Sequence, residues 1–433
     1  MLSRVGKHEW FFIVLPAFLI MVSSAFAFDP DAPPETTIPL APFITFGGNV
    51  AFQYELEKNF DLDDFQADTL SIFQPELSLA FSFDPNERFQ AFLNVELAEE
   101  LELARGARNT RRVKLEIKEA FLLFKKLADG RLFFQVGRQR FEDARQWLYD
   151  EELDAVVGAW HPVPEFSLEL SVSRLDLADR DPLNDERRER INNYIVYGRY
   201  VRGEETEIAV YAIARRDQSS ARESPAFLGL QASGEMLDGL DSWLDLSYAL
   251  GRSGSRQIRG FGVDVGSTYA FDLPLEPAIS LGYAFGTGDG HPNNGVDTSF
   301  RQTGLQENEG EFNGDAGFKY YGELFDPELS NLSIVTGGVG IRPTEESSID
   351  LVYHHYLQHK PSDGLRNARI DADPDGISRA LGREMDLIIG FEGFEEIHPV
   401  ELKLVFGYFI PGKAFPAGSD SSVLTNFEIQ YSF

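Results

Sequence analysis

The chain contains no cysteine, and its acidic residues far outnumber its basic ones. Without a single cysteine among 433 residues, the protein can form no disulfide bond, thiol nucleophile or cysteine-ligated metal centre. Lys and Arg number 39 against 70 Asp and Glu, which gives a formal net charge of −31. Because nucleic acid is a polyanion, this charge excludes it as a partner. Since no disulfide bond is possible, the fold must be held by hydrogen bonding and packing alone.

Long apolar runs are also scarce, and the one near the N-terminus is short. Arg4 and Lys7 precede an apolar stretch from Trp10 to Val22, and Ser23-Ser24-Ala25-Phe26-Ala27 then offers small residues at the −1 and −3 positions. This layout is typical of a secretory signal peptide that is cleaved after Ala27. The stretch is too short for a membrane anchor, which needs about 20 apolar residues. We predict a cleaved signal peptide over residues 1–27.

Aromatic residues, by contrast, are abundant, with 36 Phe and 15 Tyr, and apolar residues alternate with polar ones along the chain. Leu77, Leu79, Phe81 and Phe83 alternate with small or polar residues, and a similar run resumes at Phe89 after a Pro-Asn turn. A period of two predicts strands with one face in lipid and the other facing a lumen. Eighteen such runs are predicted, near 43–55, 68–84, 88–98, 111–126, 131–141, 152–161, 165–175, 191–202, 205–216, 225–236, 241–251, 258–271, 276–287, 332–342, 347–358, 382–394, 398–410 and 423–433.

The connections between these runs alternate in length. Those after even-numbered strands are short, whereas those after odd-numbered strands are mostly longer and more polar, notably 175–190, 288–331 and 359–381. Short periplasmic turns and long extracellular loops are typical of bacterial outer-membrane barrels. The sequence therefore predicts an all-β protein, a transmembrane antiparallel β-barrel of about 18 strands over residues 43–433. Residues 28–42, rich in Pro and acidic groups, are interpreted as a periplasmic lead-in.

The C-terminal strand carries a further signal. Phe427, Ile429, Tyr431 and Phe433 occupy alternate positions, and the chain ends on the last of them. This resembles the terminal signal by which outer-membrane barrels are recognised for insertion. We therefore expect the barrel-insertion machinery, acting through Phe433, and the lipid and lipopolysaccharide of a Gram-negative outer membrane as partners.

Two stretches carry more specific information. The first runs from Gly137-Arg138-Gln139-Arg140-Phe141 through Asp143, Arg145, Gln146 and Trp147 to Leu153-Asp154-Ala155, and the second from Gly286-Thr287-Gly288-Asp289-Gly290 through Phe300-Arg301-Gln302-Thr303-Gly304-Leu305 to Tyr320-Tyr321-Gly322-Glu323-Leu324 and Pro327-Glu328-Leu329-Ser330-Asn331-Leu332. In order and spacing, they resemble the alginate-export family of outer-membrane proteins over most of the mature chain. Members of that family are eighteen-stranded barrels.

The resemblance implies passive, selective export of an alginate-like polyuronate through an arginine-lined constriction. Arg138, Arg140, Arg145 and Arg301 lie inside the matching motifs and are the implied pore-lining residues. Arginine suits this role because its planar guanidinium pairs with carboxylates in a bidentate manner and is always charged. Whether dedicated periplasmic partners deliver the polysaccharide stays open.

The residues themselves add three candidates and one conflict. Arg112, Lys114 and Lys118 lie opposite the lipid face of the run 111–126, where a charge turned toward mid-membrane lipid would cost about 2–4 kcal/mol. The conflict concerns Arg138 and Arg140, which share the parity of the apolar residues before them. They either line the pore by means of a bulge, or lie at the extracellular rim, where basic groups can meet lipopolysaccharide phosphates; for Arg138, structural pairing is a further alternative to pore lining.

Two loop segments are interpreted separately. The segment 288–331 is too long for an unstructured loop, and its aromatic residues predict that it folds inward as a plug or constriction, the alternative being an exposed loop. Asp371, Asp373 and Asp375 resemble half of a calcium-binding loop, but Gly382 replaces the required Glu and Pro374 interrupts the loop, so a solvated loop is favoured over calcium. No cofactor is expected.

Two other functions compete with polyuronate export. The same fold could serve as a porin for other small or anionic solutes, with the resemblance inherited from ancestry. An outer-membrane hydrolase is a third interpretation, but the sequence contains no paired Ser and His motif that favours it, and we expect no enzyme activity. A fold alone does not establish function.

Overall fold

The computed structural model describes residues 36–63, 69–104, 109–175, 177–178, 180–184, 190–203, 206–219, 222–314, 316–393 and 399–433. The predicted signal peptide and most of the predicted lead-in lie outside these ranges. Within them, no helix is long and apolar enough to cross a membrane.

Eighteen long antiparallel strands form the wall of the protein. In chain order, β1 to β18 are Ile44–Lys58, Leu70–Asn86, Phe89–Ala104, Thr110–Lys126, Leu132–Glu142, Asp150–Val163, Phe166–Arg174, Ile191–Arg202, Thr206–Asp217, Glu223–Leu237, Leu240–Ser253, Arg256–Ala270, Ala278–Gly286, Leu332–Thr344, Ser347–Gln358, Ala380–Gly393, Val400–Pro411 and Ser422–Ser432. Each strand pairs with its neighbours in sequence, and β1 pairs with β18 from Asn49↔Ser432 to Lys58↔Val423. This last pairing closes the sheet, so the predicted eighteen-stranded antiparallel barrel is confirmed.

The few remaining elements are short. Strand Ile38–Ala41 adds to β1, Val296–Asp297 lies parallel to β12, and Glu309–Gly310 pairs with Phe318–Lys319. Among the described residues, the helical element Leu127–Gly130 is a turn between β4 and β5 with left-handed backbone angles at Ala128 and Asp129.

Alternation along the strands decides which side chains enter the lumen. In β11, Trp243, Asp245 and Ala249 are almost fully buried inside the barrel, whereas Tyr248 and Leu250 on the other face are 44% and 36% exposed. Apolar side chains exposed on the outer face suit contact with lipid, and the polar set faces inward. The same two-sided pattern recurs along the barrel and explains why a large apolar surface is exposed.

The interior is filled on one side only. Residues 287–331, here called the inner segment, and residues 143–149, the inner loop, pack into one hydrophobic cluster with lumen-facing residues of strands between β5 and β18. Of the described residues, no strand residue of β1, β2, β3 or β4 belongs to this cluster, although Phe60 and Leu62 of the connection after β1 do. The lumen-facing side of β1–β4, here called the open wall, carries partly exposed polar groups such as Gln53, Glu76, Asn94, Glu96 and Glu116.

Candidate transport pathway

Arg145 connects the inner loop to the barrel wall. Its guanidinium lies 4.3 Å from the ring centres of both Trp243 and Tyr320, and it is 3.5 Å from carboxylate oxygens of Asp245 and Asp264. Stacking between two rings and pairing with two acids leave its side chain only 12% exposed. A desolvated cation between aromatic faces is strongly stabilised. Arg145 therefore fixes the inner segment to β11 and β12, and a solute in the lumen has little access to it.

Hydrogen bonds of the inner loop strengthen this attachment. The Asp143 carboxylate accepts bonds from the backbone N–H groups of Trp147, Leu148 and Tyr149. Burial nevertheless raises the pKa of Asp143 above its ordinary value. The indole of Trp147 donates to the hydroxyl of Tyr321 at 2.8 Å. These contacts order the inner loop and hold it against the inner segment.

A second attachment lies on β16. The Glu384 carboxylate accepts the backbone N–H groups of Leu324 at 2.7 Å and Phe325 at 3.0 Å, together with the hydroxyl of Tyr356 at 3.1 Å. The ring of Phe325 stacks on that of Phe409, with centroids 5.2 Å apart. The inner segment is thus held at two separate places on the wall, at one by a cation and at the other by an acid.

Arg301 is buried in a network of ion pairs. Its guanidinium contacts Glu223 and Asp297, each at 2.5 Å, and its side chain is 2% exposed. Glu223 also pairs with Arg366, which binds Glu328 in turn. Removing one partner from such a network leaves an uncompensated buried charge. The structure therefore gives Arg301 a position inside the packed side of the barrel.

Arg138 lies on the outer parity of β5 and is buried by a loop. The register between β5 and β6 runs without a bulge from Leu132↔Trp160 to Glu142↔Asp150, so Arg138 shares the face of the exposed Leu132 and Phe134. It donates two bonds of 3.0 Å to Asp154 and further bonds to the carbonyls of Ile117 and Ala178. The register favours the alternative of structural pairing near the rim over the pore-lining interpretation.

Arg140 occupies an intermediate position. It pairs with Asp150 at 2.7 Å and Glu142 at 3.3 Å, and its side chain is 48% exposed. The pairing between β4 and β5 extends only to Ala120↔Arg138, so Arg140 lies where the two strands have separated. Its charge also acts on Glu309 of the inner segment.

The three candidates on β4 differ in their register and their partners. Lys114 lies on the lumen side and pairs with Glu100 at 3.0 Å, and Arg112, opposite Glu100, shares its parity. A bulge between Asn94 and Val95 of β3 makes Lys118 the extra residue. Bulges redirect side chains, and Lys118 pairs with Glu152 of β6 at 3.0 Å. The charge of Lys118 also acts on Glu96 of the open wall, and sequence parity alone could not show the bulge.

Comparison with known proteins gives the family. The sequence profile described as "Alginate export" matches residues 43–427. The chain belongs to the alginate export family. A curated relative from Azotobacter vinelandii, "Alginate production protein AlgE", is 28% identical over 184 residues, which is 37% of this chain and 38% of the relative. The aligned part thus spans well under half of that relative's length.

Solved structures support the fold of this alginate export family member. OpdK of Pseudomonas aeruginosa superposes with a TM-score of 0.58 at 10% identity, covering 90% of this chain and 98% of OpdK. OccK11 (OpdR) of the same organism gives 0.56 at 13% identity, covering 90% and 95%. At such low identity the likeness shows the fold alone. Together with the family, it places the protein in the outer membrane and indicates transport rather than catalysis.

In this alginate export family barrel, two lysines that pair with acids of the inner segment, Lys319 and Lys403, were not among the sequence candidates, and each is 19% exposed. Lys319 pairs with Glu307 at 2.5 Å and lies 3.8 Å from Glu309, which also binds Lys403 of β17 at 3.2 Å. Burial raises the pKa of Glu309, but Lys403 and Lys319 outweigh it and hold the pKa below its ordinary value. The alternation of residues 398–410 could have indicated Lys403, whereas nothing in the sequence indicated Lys319.

The calcium candidates are not brought together. Asp375 accepts the backbone N–H groups of Ile377 and Ser378, which lower the pKa of its carboxyl. Asp371 donates its backbone N–H to the carbonyl of Phe60, and Asp373 is exposed. In the described part of the chain, no group of three or more His, Asp or Glu side chains is arranged to hold a metal ion.

Proposed function

We propose that the barrel exports an alginate-like polyuronate passively along the open wall, between β1–β4 and the inner segment. The family match over residues 43–427 carries this proposal, and the name of the Azotobacter vinelandii relative agrees with it. The one-sided packing of the interior supports the route, because the hydrophobic cluster occupies the side formed by β5–β18. In this arrangement the inner segment acts as the constriction.

Paired cations are the proposed contacts for the sugar carboxylates. Lys319 and Lys403 share Glu309, and Lys114 pairs with Glu100. A uronate carboxylate can replace a protein carboxylate at such a lysine with little change in the number of ion pairs. Each exchange is therefore weak and reversible, as conduction requires.

The acids of the open wall limit how long the polymer stays. Glu76, Glu96 and Glu116 face the same space as these lysines. A pathway lined by cations alone would retain a polyanion, whereas alternating charges shorten each contact. Arg140, at the separation between β4 and β5, is the one arginine of the implied pore-lining set whose exposure suits direct contact. Arg145 and Arg301 are proposed to position the constriction, and Arg138 to join strands of the wall, rather than touch the polymer.

A porin for other small anions is the second candidate. It is favoured by a solved structure of OpdK with vanillate, which has the same fold at 12% identity. Vanillate is a small carboxylate, so the same lysines could serve such a solute.

Location in the outer membrane also has consequences for the assembly and the partners of the protein. We propose that residues 1–27 direct export, that residues 28–42 lead into the barrel over 43–433, and that insertion machinery recognises the strand ending in Phe433. Lipid and lipopolysaccharide surround the barrel, and periplasmic proteins deliver the polysaccharide.

The test is polymer block of single channels in planar bilayers. Mannuronate or guluronate oligomers should reduce the current of the unaltered protein in a dose-dependent manner, with anions preferred under a salt gradient. Lys319→Gln with Lys403→Gln should weaken the block by about tenfold, since two charge-assisted contacts are lost. Lys126→Gln, an equal type of change on an exposed turn, should leave the block unchanged. A cation-selective channel whose current is not reduced by uronate oligomers would refute polyuronate as the substrate.

A further inference from the structure

A cavity of about 660 Å³ opens on the outside of the barrel, away from the transport pathway. Its floor includes Tyr248 and Phe261, which oppose each other on β11 and β12 and are 44% and 40% exposed on the outer face. Its upper margin includes Arg259, His359 and Lys360. The cavity thus has an apolar base with a cationic margin.

The cavity lies at the border of the apolar band. The outward-facing positions of β11 run from Leu240 to Leu250. This stretch spans about 25 Å in a tilted strand, which is the height of the lipid-facing band of such barrels. Arg259 lies opposite Leu250. The cationic margin is therefore at headgroup level, at the barrel end that carries the long connections.

The cations of this margin differ from those of the lumen. Arg259 donates to the neutral side chain of Gln257 at 3.1 Å. Among the residues that the structure describes, neither Arg259 nor Lys360 forms an ion pair, whereas Lys114, Lys319 and Lys403 in the lumen each pair with a glutamate. An exposed cation without a protein carboxylate is free to bind an external anion.

His359 contributes a neutral donor beside these cations. Its Nδ1 accepts the backbone N–H of Gly288 at 2.9 Å, and its ring contacts Phe285 with centroids 5.1 Å apart. Burial, and then the charges of Lys360 and Arg379, lower the pKa of this imidazole. A neutral imidazole that accepts at Nδ1 carries its proton on Nε2, so one N–H remains to donate.

We propose that this cavity binds lipopolysaccharide of the outer leaflet through a phosphate group of its lipid A. The phosphate lies between Arg259 and Lys360, and an acyl chain covers Tyr248 and Phe261. Charge complementarity selects this occupant, because an uncharged or zwitterionic lipid supplies no matching net anion for the two cations. The bound glycolipid covers the part of the wall where the partner of β12 changes. From Gly262 onward β12 pairs with β13, whereas Gln257 and Ile258 pair with Val296–Asp297 of the inner segment.

Native mass spectrometry of the detergent-folded barrel tests this site. The unaltered protein should retain bisphosphorylated lipid A, bind dephosphorylated lipid A at least about tenfold more weakly, and release neither lipid on addition of inorganic phosphate. Arg259→Gln with Lys360→Gln should weaken binding of the bisphosphorylated form by at least about tenfold. Heat-modifiable mobility on gels confirms that each variant is folded.

The matched control is Arg216→Gln with Lys413→Gln, which removes two exposed cations elsewhere on the protein. It should bind lipid A as the unaltered protein does. An equal loss of lipid A affinity in the two double variants would show that binding depends only on the total charge, and would overturn the site. Equal affinity for phosphorylated and dephosphorylated lipid A, or displacement by inorganic phosphate, would also overturn it, and the lipid comparison needs no variant.

Discussion

Replacing Arg145 with Met should release the inner segment and enlarge the channel. The substitution retains side-chain length but leaves Asp245 and Asp264 buried without their cation, 3.5 Å from where it stood. Breaking a buried ion pair by removing one partner costs about 3–5 kcal/mol. The packed arrangement should therefore become about a hundred- to a few-thousand-fold less favoured over a displaced one. A larger and noisier single-channel conductance in planar bilayers is the expected result.

The rescue variant separates this positioning role from a pore-lining role. Asp245→Asn and Asp264→Asn, combined with Arg145→Met, remove the uncompensated charges and should return the conductance toward its original level. If Arg145 instead lined the pore, its replacement would change ion selectivity and leave the conductance and its noise as they were. That result would refute the attachment of the inner segment through this residue.

Two further predictions concern pH and assembly. Burial raises the pKa of Asp326 to about 6, so its ionised form destabilises the fold. The stability of the protein should therefore be highest below about pH 4, fall as the pH rises to about 6 and stay low above that pH. Asp326→Asn should accordingly raise the thermal midpoint near pH 8 and not near pH 3.5, and an equal gain at both values would contradict the burial argument. Deleting Phe433 removes two backbone bonds to Gly48 and a ring contact with Phe46, so the heat-modifiable, inserted fraction should fall, whereas Phe433→Tyr should preserve it; normal insertion of the deletion variant would exclude this role.

The wall could be predicted from sequence because its cause is local. Alternation such as Leu244, Leu246, Tyr248 and Leu250 follows directly from a two-sided strand between lipid and lumen. All eighteen strands and their closed order follow from this pattern and from the lengths of the connections. Strand ends differ from the prediction by a few residues, because hydrogen bonding extends past the last alternating residue.

The roles of the individual cations depend on contacts far apart in sequence. Nothing near Arg145 indicates Trp243, Asp245 or Asp264 as its partners, and nothing near Arg301 indicates Glu223. Lys118 is the extra residue of a bulge in β4, and the parity of its neighbours gives no sign of that bulge or of its partner Glu152. For Arg138, the conflict in parity was visible in the sequence, but its partner Asp154 lies on the next strand. Motif and charge alone could not distinguish residues that touch the solute from residues that position the inner segment.

The seam between β1 and β18 has a consequence for biogenesis. Near one end, Asn59 donates to the carbonyl of Ser421 and Ser422 donates to that of Lys58, and at the other end Phe433 and Gly48 exchange two backbone bonds. These partners are separated by more than 360 residues, so none of the contacts can form before the whole chain has been translocated. Until then both margins of the nascent sheet expose unpaired N–H and C=O groups that would template aggregation. A catalyst that occupies one margin and leaves only when the opposite margin displaces it would couple completion of the polypeptide to its release into the bilayer.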